Sequence, residues 1–251
     1  MEKSERETET ARVARDRRYS IPLALAIMTL WTAHLVYALL FVPVPIGADG
    51  GLLDWARVVL HVAIQAYLYT GLFITAHDAM HGSVSGNQKL NRLIGQTAAF
   101  LFAAFSYRKL LRNHMKHHRW PGEEDDPDFY PRSQNFFIWF AVFFSRYATV
   151  LQLVIMSAVF NLLRLVAPVW SIVFFWIIPA FAGTFQLFYF GTYRPHRYPH
   201  TEDMEPHNAR SQRRNHIWAM ISCYFFGYHH EHHSSPGTPW WGLPRVKDQN
   251  G

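Results

Sequence analysis

Eight histidines of this chain lie in three short clusters whose spacing suits metal binding. Within each cluster, neighbouring histidines are mostly three or four residues apart, and on a helix side chains at those separations project from one face. Imidazole ligands without a thiolate suit iron, copper or zinc. The sequence therefore predicts a metal site built from three helical segments. The proposed ligands are His77, His81, His114, His117, His118, His229, His232 and His233.

The clustered imidazoles outnumber the ligands that one ion can hold, because zinc takes four ligands and iron six. We therefore expect two metal ions. Neutral ligands leave the charge of the cations uncompensated, which favours oxygen activation, while zinc hydrolase chemistry stays open as a competing use. Asp78 is the candidate catalytic carboxylate, because it could accept a proton from the distal nitrogen of a ligand. For Glu231 that role and a solvated charge are equally open. The acidic run of residues 123–128 is predicted to be a solvated face, with a balance of the local positive charge as the alternative.

The elements that must position these clusters are predicted to be membrane helices. The 251 residues are 50% hydrophobic and 16% aromatic but only 17% charged, and an apolar helix of about 20 residues crosses the hydrocarbon core of a bilayer. The predicted fold class is an all-α integral membrane protein with about four transmembrane helices, interfacial helices and a cytosolic histidine-rich cap. The predicted spans are residues 20–42, 52–76, 147–163 and 169–190, and the predicted interfacial or re-entrant helices are residues 93–107, 136–145 and 216–228.

The distribution of basic residues places every histidine cluster on one side of the membrane. Residues 77–135 contain eight Lys or Arg and residues 193–251 contain seven, whereas the predicted outer turn at residues 43–51 contains none. Basic loops stay in the cytosol, so we expect the N-terminus and the clusters there, as in a multi-pass protein of a bacterial inner membrane. Residues 1–19 are predicted to be a cytosolic head and residues 20–251 one membrane domain.

The net charge of +6 does not indicate a nucleic-acid partner. The basic residues flank apolar blocks instead of forming a stripe, which is the pattern of a protein whose partner is the lipid bilayer. Cys223 is the single cysteine of the sequence. It can form neither an intrachain disulfide nor an iron–sulfur cluster.

Several longer motifs surround the histidines and carry a resemblance to a known family. The sequence resembles the membrane fatty-acid-desaturase-like superfamily of non-haem di-iron enzymes and, within it, the bacterial beta-carotene 4-ketolases. Arg194, where that pattern usually has leucine, and the stretch at residues 234–236 depart from it, and neither is a proposed ligand. The matching motifs are the segments 73–82, 114–118, 126–129, 188–197, 207–211, 226–233 and 239–244.

The resemblance implies two iron ions, dioxygen as co-substrate and an external electron donor such as a ferredoxin with its reductase. The implied reaction inserts oxygen twice at carbon 4 of a beta-ionone ring, so that beta-carotene becomes echinenone and then canthaxanthin. Acceptance of hydroxylated carotenoids, the identity of the donor and the oligomeric state stay open.

Further residues are assigned around the clusters. His196 is the expected ninth ligand, because it follows a predicted span directly and the superfamily supplies an additional histidine there. His207 is its rival, and His230 is expected to point away from the ligand face of its cluster. The candidate substrate-tunnel residues, chosen for their proximity to the clusters, are Tyr193, Trp240 and Trp241.

Two other functions remain compatible with the histidine pattern. The first is an acyl-lipid desaturase or hydroxylase that uses the same kind of di-iron site. The second is a membrane metal carrier, which would need ligands at several depths in the bilayer, whereas the three clusters are predicted on one side.

Overall fold

The computed structural model describes the backbone of residues 2–47 and 50–249 and the side chains of residues 18–47 and 50–249. Most of the predicted head at residues 1–19, and part of the predicted outer turn at residues 43–51, lie outside the described side chains. The described residues form helices joined by turns and loops. The helices are α1 (Glu2–Phe41), α2 (Leu52–Met80), α3 (Gln88–Ala103), α4 (Tyr107–Arg119), α5 (Phe136–Tyr147), α6 (Val150–Leu163), α7 (Val169–His196), α8 (His216–Cys223), α9 (His229–Ser234) and α10 (Leu243–Gln249).

Within the part of the chain that the structure describes, three segments are long and apolar enough to cross a membrane: Arg18–Phe41 of α1, all of α2 and all of α7. A fourth crossing is possible where α5 and α6 meet, because together they pass the same test but are bent by 89°. The prediction of an all-α membrane protein with about four spans is confirmed at this level. The bend also separates the stretch predicted to lie along the interface from the stretch predicted to cross.

The α2 and α7 helices are longer than a bilayer requires. They contain 29 and 28 residues, which at 1.5 Å per residue gives about 44 and 42 Å against a hydrocarbon core of about 30 Å. The last turns of both helices can therefore project beyond the apolar layer. Those turns carry His77 and His196.

Two prolines shape α7 without breaking it. Wider π-helical turns occur at Val173–Ile177 and Tyr189–Tyr193, each followed within two residues by a proline, Pro179 or Pro195. A proline lacks the N–H that an α-helix needs and crowds the preceding turn, and a π-helical turn relieves that conflict. As a result α7 continues as far as His196.

The α2 helix is the centre of the packing. Its second half, from residue 69 to Met80, is almost entirely buried, whereas Leu52 and Leu53 at its start are exposed. Tyr69 packs edge-on against Trp31 of α1 and against Phe102 of α3. The first histidine cluster therefore extends from the most tightly packed part of the protein.

Candidate metal centre

The nine predicted ligands converge as two groups of imidazoles. In the first group one ring nitrogen of each member lies within 4.8 Å of the others, and the same holds in the second group. Every member is buried except His81 and His118, which are half-buried. The first group contains His77, His81, His114, His118 and His232, and the second contains His117, His196, His229 and His233.

Helical geometry explains how the second and third clusters divide. In α4, His114 and His118 are separated by four residues and join the first group, while His117 turns toward the second. In α9 the arrangement is reversed, since the pair four residues apart, His229 and His233, joins the second group and His232 joins the first. Residues at i and i+4 lie above one another on a helix. Each of these helices therefore contributes two ligands to one group and one to the other.

The positions of the ring nitrogens fit metal ions. The Nε2 atom of His233 lies 3.1 Å from Nε2 of both His117 and His229, and Nε2 of His118 lies 2.9 Å from Nε2 of His232. A metal–nitrogen bond of about 2.1 Å separates neighbouring ligand nitrogens by about 3.0 to 3.4 Å in octahedral or tetrahedral geometry. The observed spacing is thus close to that of ligands around an ion.

Unpartnered nitrogens support the same interpretation. Nε2 of His77 and Nε2 of His196 are buried without a hydrogen-bond partner, and a buried polar atom without a partner is costly. In His196 the Nδ1–H donates to the carbonyl oxygen of Asn208 at 2.9 Å. This bond fixes the tautomer in which Nε2 presents a lone pair to the other imidazoles.

Asp126 orients His117 in the same manner. The Nδ1–H of His117 donates to Asp126 at 2.9 Å, and both side chains are almost completely buried. The carboxylate also accepts hydrogen bonds from the backbone N–H groups of Gly122 and Asp128. Burial opposes charge on both side chains, yet their mutual attraction raises the pKa of His117 and lowers that of Asp126.

The prediction that residues 123–128 form a solvated face is wrong for Asp126, which the sequence analysis did not identify as a functional residue. Glu123, Glu124 and Asp125 are exposed, but Asp126 is buried. The one local signal is the Asp-Pro-Asp-Phe segment at the end of the run, where Phe129 is buried and turns the chain inward. Composition alone does not separate Asp126 from its exposed neighbours.

Asp78 connects the first cluster to a distant segment. Its Oδ2 accepts a hydrogen bond from the backbone N–H of Trp240 at 3.0 Å, and its Oδ1 lies 3.7 Å from Nδ1 of His77. That second distance is too long for a hydrogen bond. Asp78 therefore holds the end of α2 against the segment that contains Trp240, and it makes no hydrogen bond to His77.

The remaining polar residues near the clusters have other partners. Glu231 is buried and pairs with Lys247 at 2.9 Å and with the hydroxyl of Ser211, so neither of the roles considered for it applies. Nδ1 of His230 contacts the carbonyl oxygen of Ala209, which agrees with the expectation that this side chain points away. His207 stacks beside His233 but belongs to neither group.

Burial favours the neutral form of imidazoles other than His117. Burial, followed by the charge of His117, lowers the pKa of His81 to about 4. Burial and neighbouring imidazoles also lower the pKa of His118. Neutral imidazole is the form that binds a metal.

A mostly apolar cavity adjoins both groups. His77 and His114 of the first group and His117 and His229 of the second form part of its wall. A second apolar cavity lies next to it, between α3, α5, α6 and α7. Both cavities share the side chains Phe102, Phe105, Phe144 and Thr184.

The three candidate substrate residues lie elsewhere. The ring of Tyr193 packs against Phe136 and Trp139. Trp240 and Trp241 line a separate open groove beside Tyr19 of α1. None of the three lines the cavity beside the imidazoles, whose wall comes from helices that are distant in sequence, and their contact with a substrate stays a prediction.

Comparison with known proteins agrees with this architecture. The fatty acid desaturase family matches residues 53–165 and 139–250. A beta-carotene ketolase from Paracoccus sp. (strain PC1) is 41% identical over 77% of this chain and 80% of its own length, and one from another Paracoccus strain is 38% identical over 91% and 92%.

A third relative is the zeaxanthin 4-ketolase of Chlamydomonas reinhardtii, which is 38% identical over 90% of this chain. The aligned region is 53% of that protein, so the chain spans about half the length of this relative. The matches to the Paracoccus proteins cover most of both partners. The chain therefore belongs to the fatty acid desaturase family and, within it, to the beta-carotene ketolases.

Proposed function

We propose that this protein is a membrane-bound, dioxygen-dependent di-iron ketolase that oxidises carbon 4 of beta-ionone rings. The proposed substrate is beta-carotene, which becomes echinenone and then canthaxanthin. One observation carries the proposal: two groups of imidazole nitrogens line one end of an apolar cavity that continues between α3, α5, α6 and α7. A cavity with apolar walls suits a hydrocarbon substrate dissolved in the bilayer.

The nine histidines would hold two iron ions, five imidazoles at one and four at the other. When bound, iron supplies the capacity to activate dioxygen for insertion into a C–H bond. The protein contributes ligand geometry, since Asp126 and the carbonyl oxygen of Asn208 fix the tautomers of His117 and His196. We propose Asp78 as a positioning residue that holds His77 in place.

The proposed reaction balances with an external reductant. Each oxygen insertion converts a C–H bond to C–OH and uses one dioxygen, two electrons and two protons, with one water released. A second insertion at the same carbon gives a geminal diol, which loses water to become the ketone. We propose that a reduced ferredoxin-type carrier supplies the electrons.

The proposed topology places the N-terminus and the metal centre in the cytosol. The support is the distribution of basic residues along the loops and the position of His77 and His196 at the ends of the two long helices. A soluble electron carrier could then reach the centre, while the substrate enters from the bilayer.

Pigment analysis tests the proposal. A beta-carotene-producing bacterium would express the wild-type chain, a His117→Ala variant, and a His216→Ala control, in which the changed histidine contacts Tyr228 and Asp248 away from both groups. We expect echinenone and canthaxanthin from the wild type and the control but not from His117→Ala. Unchanged carotenoids in all three strains would refute the ketolase assignment.

Membrane fatty-acid analysis of the same strains tests the second candidate function. A lipid desaturase or hydroxylase would use the same centre, and the match to the fatty acid desaturase family supports testing this function. Altered fatty acids without new carotenoids would establish it. A metal carrier is disfavoured because the two large groups of ligands lie together instead of at successive depths.

A further inference from the structure

The polar side chains that line the cavity beside the metal centre include a hydrogen-bonded pair that the proposed reaction does not use. Asp128 and Tyr147 both line the cavity, and the hydroxyl of Tyr147 donates a hydrogen bond to Oδ1 of Asp128. A carboxylate oxygen of Asp128 lies within 4.8 Å of a ring nitrogen of His117. The pair therefore lies close to the position where a substrate would react.

The loop around Asp128 is held firmly. The backbone N–H of Asp128 donates to Asp126 at 2.8 Å, and its carbonyl oxygen accepts from Nε1 of Trp139 at 2.8 Å. Nη1 of Arg146 donates to the carbonyl oxygens of Pro127 and Phe129. These bonds fix the direction of the carboxylate without occupying its oxygens.

The carboxylate of Asp128 retains acceptor capacity toward the cavity. A carboxylate offers about four acceptor positions, and among the described side chains Tyr147 supplies the hydrogen bond to it. Much of the nearby wall is apolar, as at Phe73, Phe143 and Leu187. A hydroxyl group that enters this end of the cavity can thus donate to Asp128, whereas Phe73, Phe143 and Leu187 offer it no partner.

Asp128 does not complete a third metal site with His117 and Asp126. Nδ1 of His117 is engaged with Asp126 at 2.9 Å, and Nε2 of His117 faces His233. Both nitrogens of His117 are therefore committed. The acceptor positions of Asp128 that Tyr147 does not use remain available to a substrate.

We propose that Asp128, supported by Tyr147, accepts a hydrogen bond from a hydroxyl group on the ring carbon next to the oxidised carbon. This inference rests on the proposed ketolase function and makes Asp128 a specificity-determining residue. Rings hydroxylated at carbon 3 are then preferred over unsubstituted rings. A buried site that pairs with a substrate hydroxyl discriminates against an analogue that lacks it, because its polar group is left unpaired.

The test is a competition between beta-carotene and zeaxanthin, which carries hydroxyl groups at carbon 3 of both rings. Purified protein in lipid vesicles would receive both substrates with dioxygen and a reduced ferredoxin system. The measured quantity is the ratio of the ketolation rates on the two substrates. The variants are Asp128→Leu combined with Tyr147→Phe, which removes both polar partners together, and Asp128→Asn, which keeps the shape and the contact with Tyr147.

We expect the double variant to lower the zeaxanthin to beta-carotene ratio at least about tenfold, as removal of a hydrogen bond to a charged group implies. Asp128→Asn should lower it in the same direction by less. The matched control is Asp125→Leu, because Asp125 lies in the same loop but is exposed; its ratio should equal that of the wild type. Metal content and melting temperature identify variants that fail to fold. If the double variant fails to fold, the substrate ratio of Asp128→Asn alone tests the proposal.

The outcomes separate this inference from the proposed function. If the wild type ketolates either substrate and Asp128→Asn leaves the ratio unchanged, the role of Asp128 in specificity is refuted while the ketolase function stands. A uniform loss of both rates at a constant ratio also refutes it, since Asp128 is then a structural residue. If the wild type ketolates neither substrate, the proposed function fails and this inference fails with it.

Discussion

Replacing Asp126 by asparagine tests how the protein tunes one of the two metal positions. The carboxylate accepts three hydrogen bonds, from Nδ1 of His117 and from the N–H groups of Gly122 and Asp128. An asparagine offers one acceptor oxygen, so at least one of these donors would face an amide N–H. Loss of the charge costs about 1 kcal/mol and the misdirected donor about 1 kcal/mol more.

Together these costs give about 2 kcal/mol, which corresponds to roughly 30-fold weaker metal binding and lies within the range observed when the partner of a ligand is removed. Because His117 belongs to the second group, one of two metal equivalents should be affected. The assay is metal content after dialysis against graded concentrations of a chelator. We expect wild type to lose both equivalents together at high chelator concentration and Asp126→Asn to lose one equivalent early.

The control is Glu124→Gln, which removes an exposed carboxylate from the same loop. It should bind metal as the wild type does. If Asp126→Asn retains two equivalents with wild-type affinity, the orienting role of Asp126 is refuted. If both metal equivalents are bound more weakly to the same extent, the substitution disturbs the whole loop and not only the tautomer of His117.

Three further expectations follow. Burial lowers the pKa of His81 to about 4 in the folded protein, whereas an unfolded imidazole has a pKa of about 6.5. Protons therefore bind the unfolded state more tightly, and both metal binding and stability should fall as the pH drops from about 6.5 toward 4. Metal content and melting temperature measure the two effects. A Phe144→Trp variant should lower product formation at unchanged metal content, since Phe144 lines both cavities. A Gly191→Ala variant should lower activity at least about tenfold. The added Cβ would lie 2.1 Å from the ring of Phe226, so this ring or the backbone of α7 must move, and a displacement of about 1 Å in a site has effects of that size or larger.

Each of these expectations has a control or a contrary result. Full metal occupancy at pH 4 would contradict a centre made mostly of imidazoles. Phe137→Trp is the control for Phe144→Trp, because Phe137 is 72% exposed. Equal activity of these two variants would contradict passage of substrate through the cavities. Gly237→Ala is the control for Gly191→Ala, since a Cβ at Gly237 meets nothing within 4 Å; equal activity of both would show that Phe226 adjusts freely.

Local periodicity was sufficient to predict which histidines meet. The separations of three and four residues in α4 and α9 place imidazoles on one helix face, and the structure brings all of them together. The same periodicity separates His117 and His232 from the pairs that are four residues apart. It could not predict that His232 joins His114 and His118, because that depends on how α4 and α9 face one another. His196 followed from the family resemblance and from its place after a predicted span.

The fold was predictable where hydrophobicity or charge is decisive. Arg146 indicated that residues 136–145 do not continue into the next span, and the structure shows the 89° bend close to it. Its guanidinium group donates to the carbonyl oxygens of Pro127 and Phe129, a tertiary contact that no local pattern encodes.

The cavity and Asp126 were beyond sequence reasoning for the same reason. Trp240 is seven residues from His233, yet its ring packs against Tyr224 and Phe225. Its backbone N–H donates a hydrogen bond to Asp78. The cavity depends on how helices cross, and the burial of one carboxylate in an acidic run depends on where the loop folds. Both are set by tertiary packing.

The hydrogen bond between Asp78 and Trp240 has a consequence for biosynthesis. The two residues are 162 positions apart, so a ribosome that adds about 5 to 20 residues per second needs roughly 8 to 32 s to reach the second after the first. During that interval the first cluster has been synthesised, but α9, which contributes ligands to both groups, has not. Neither group of imidazoles can be completed on the nascent chain before α9 emerges, so both groups are completed only after α2 and α7 have been synthesised.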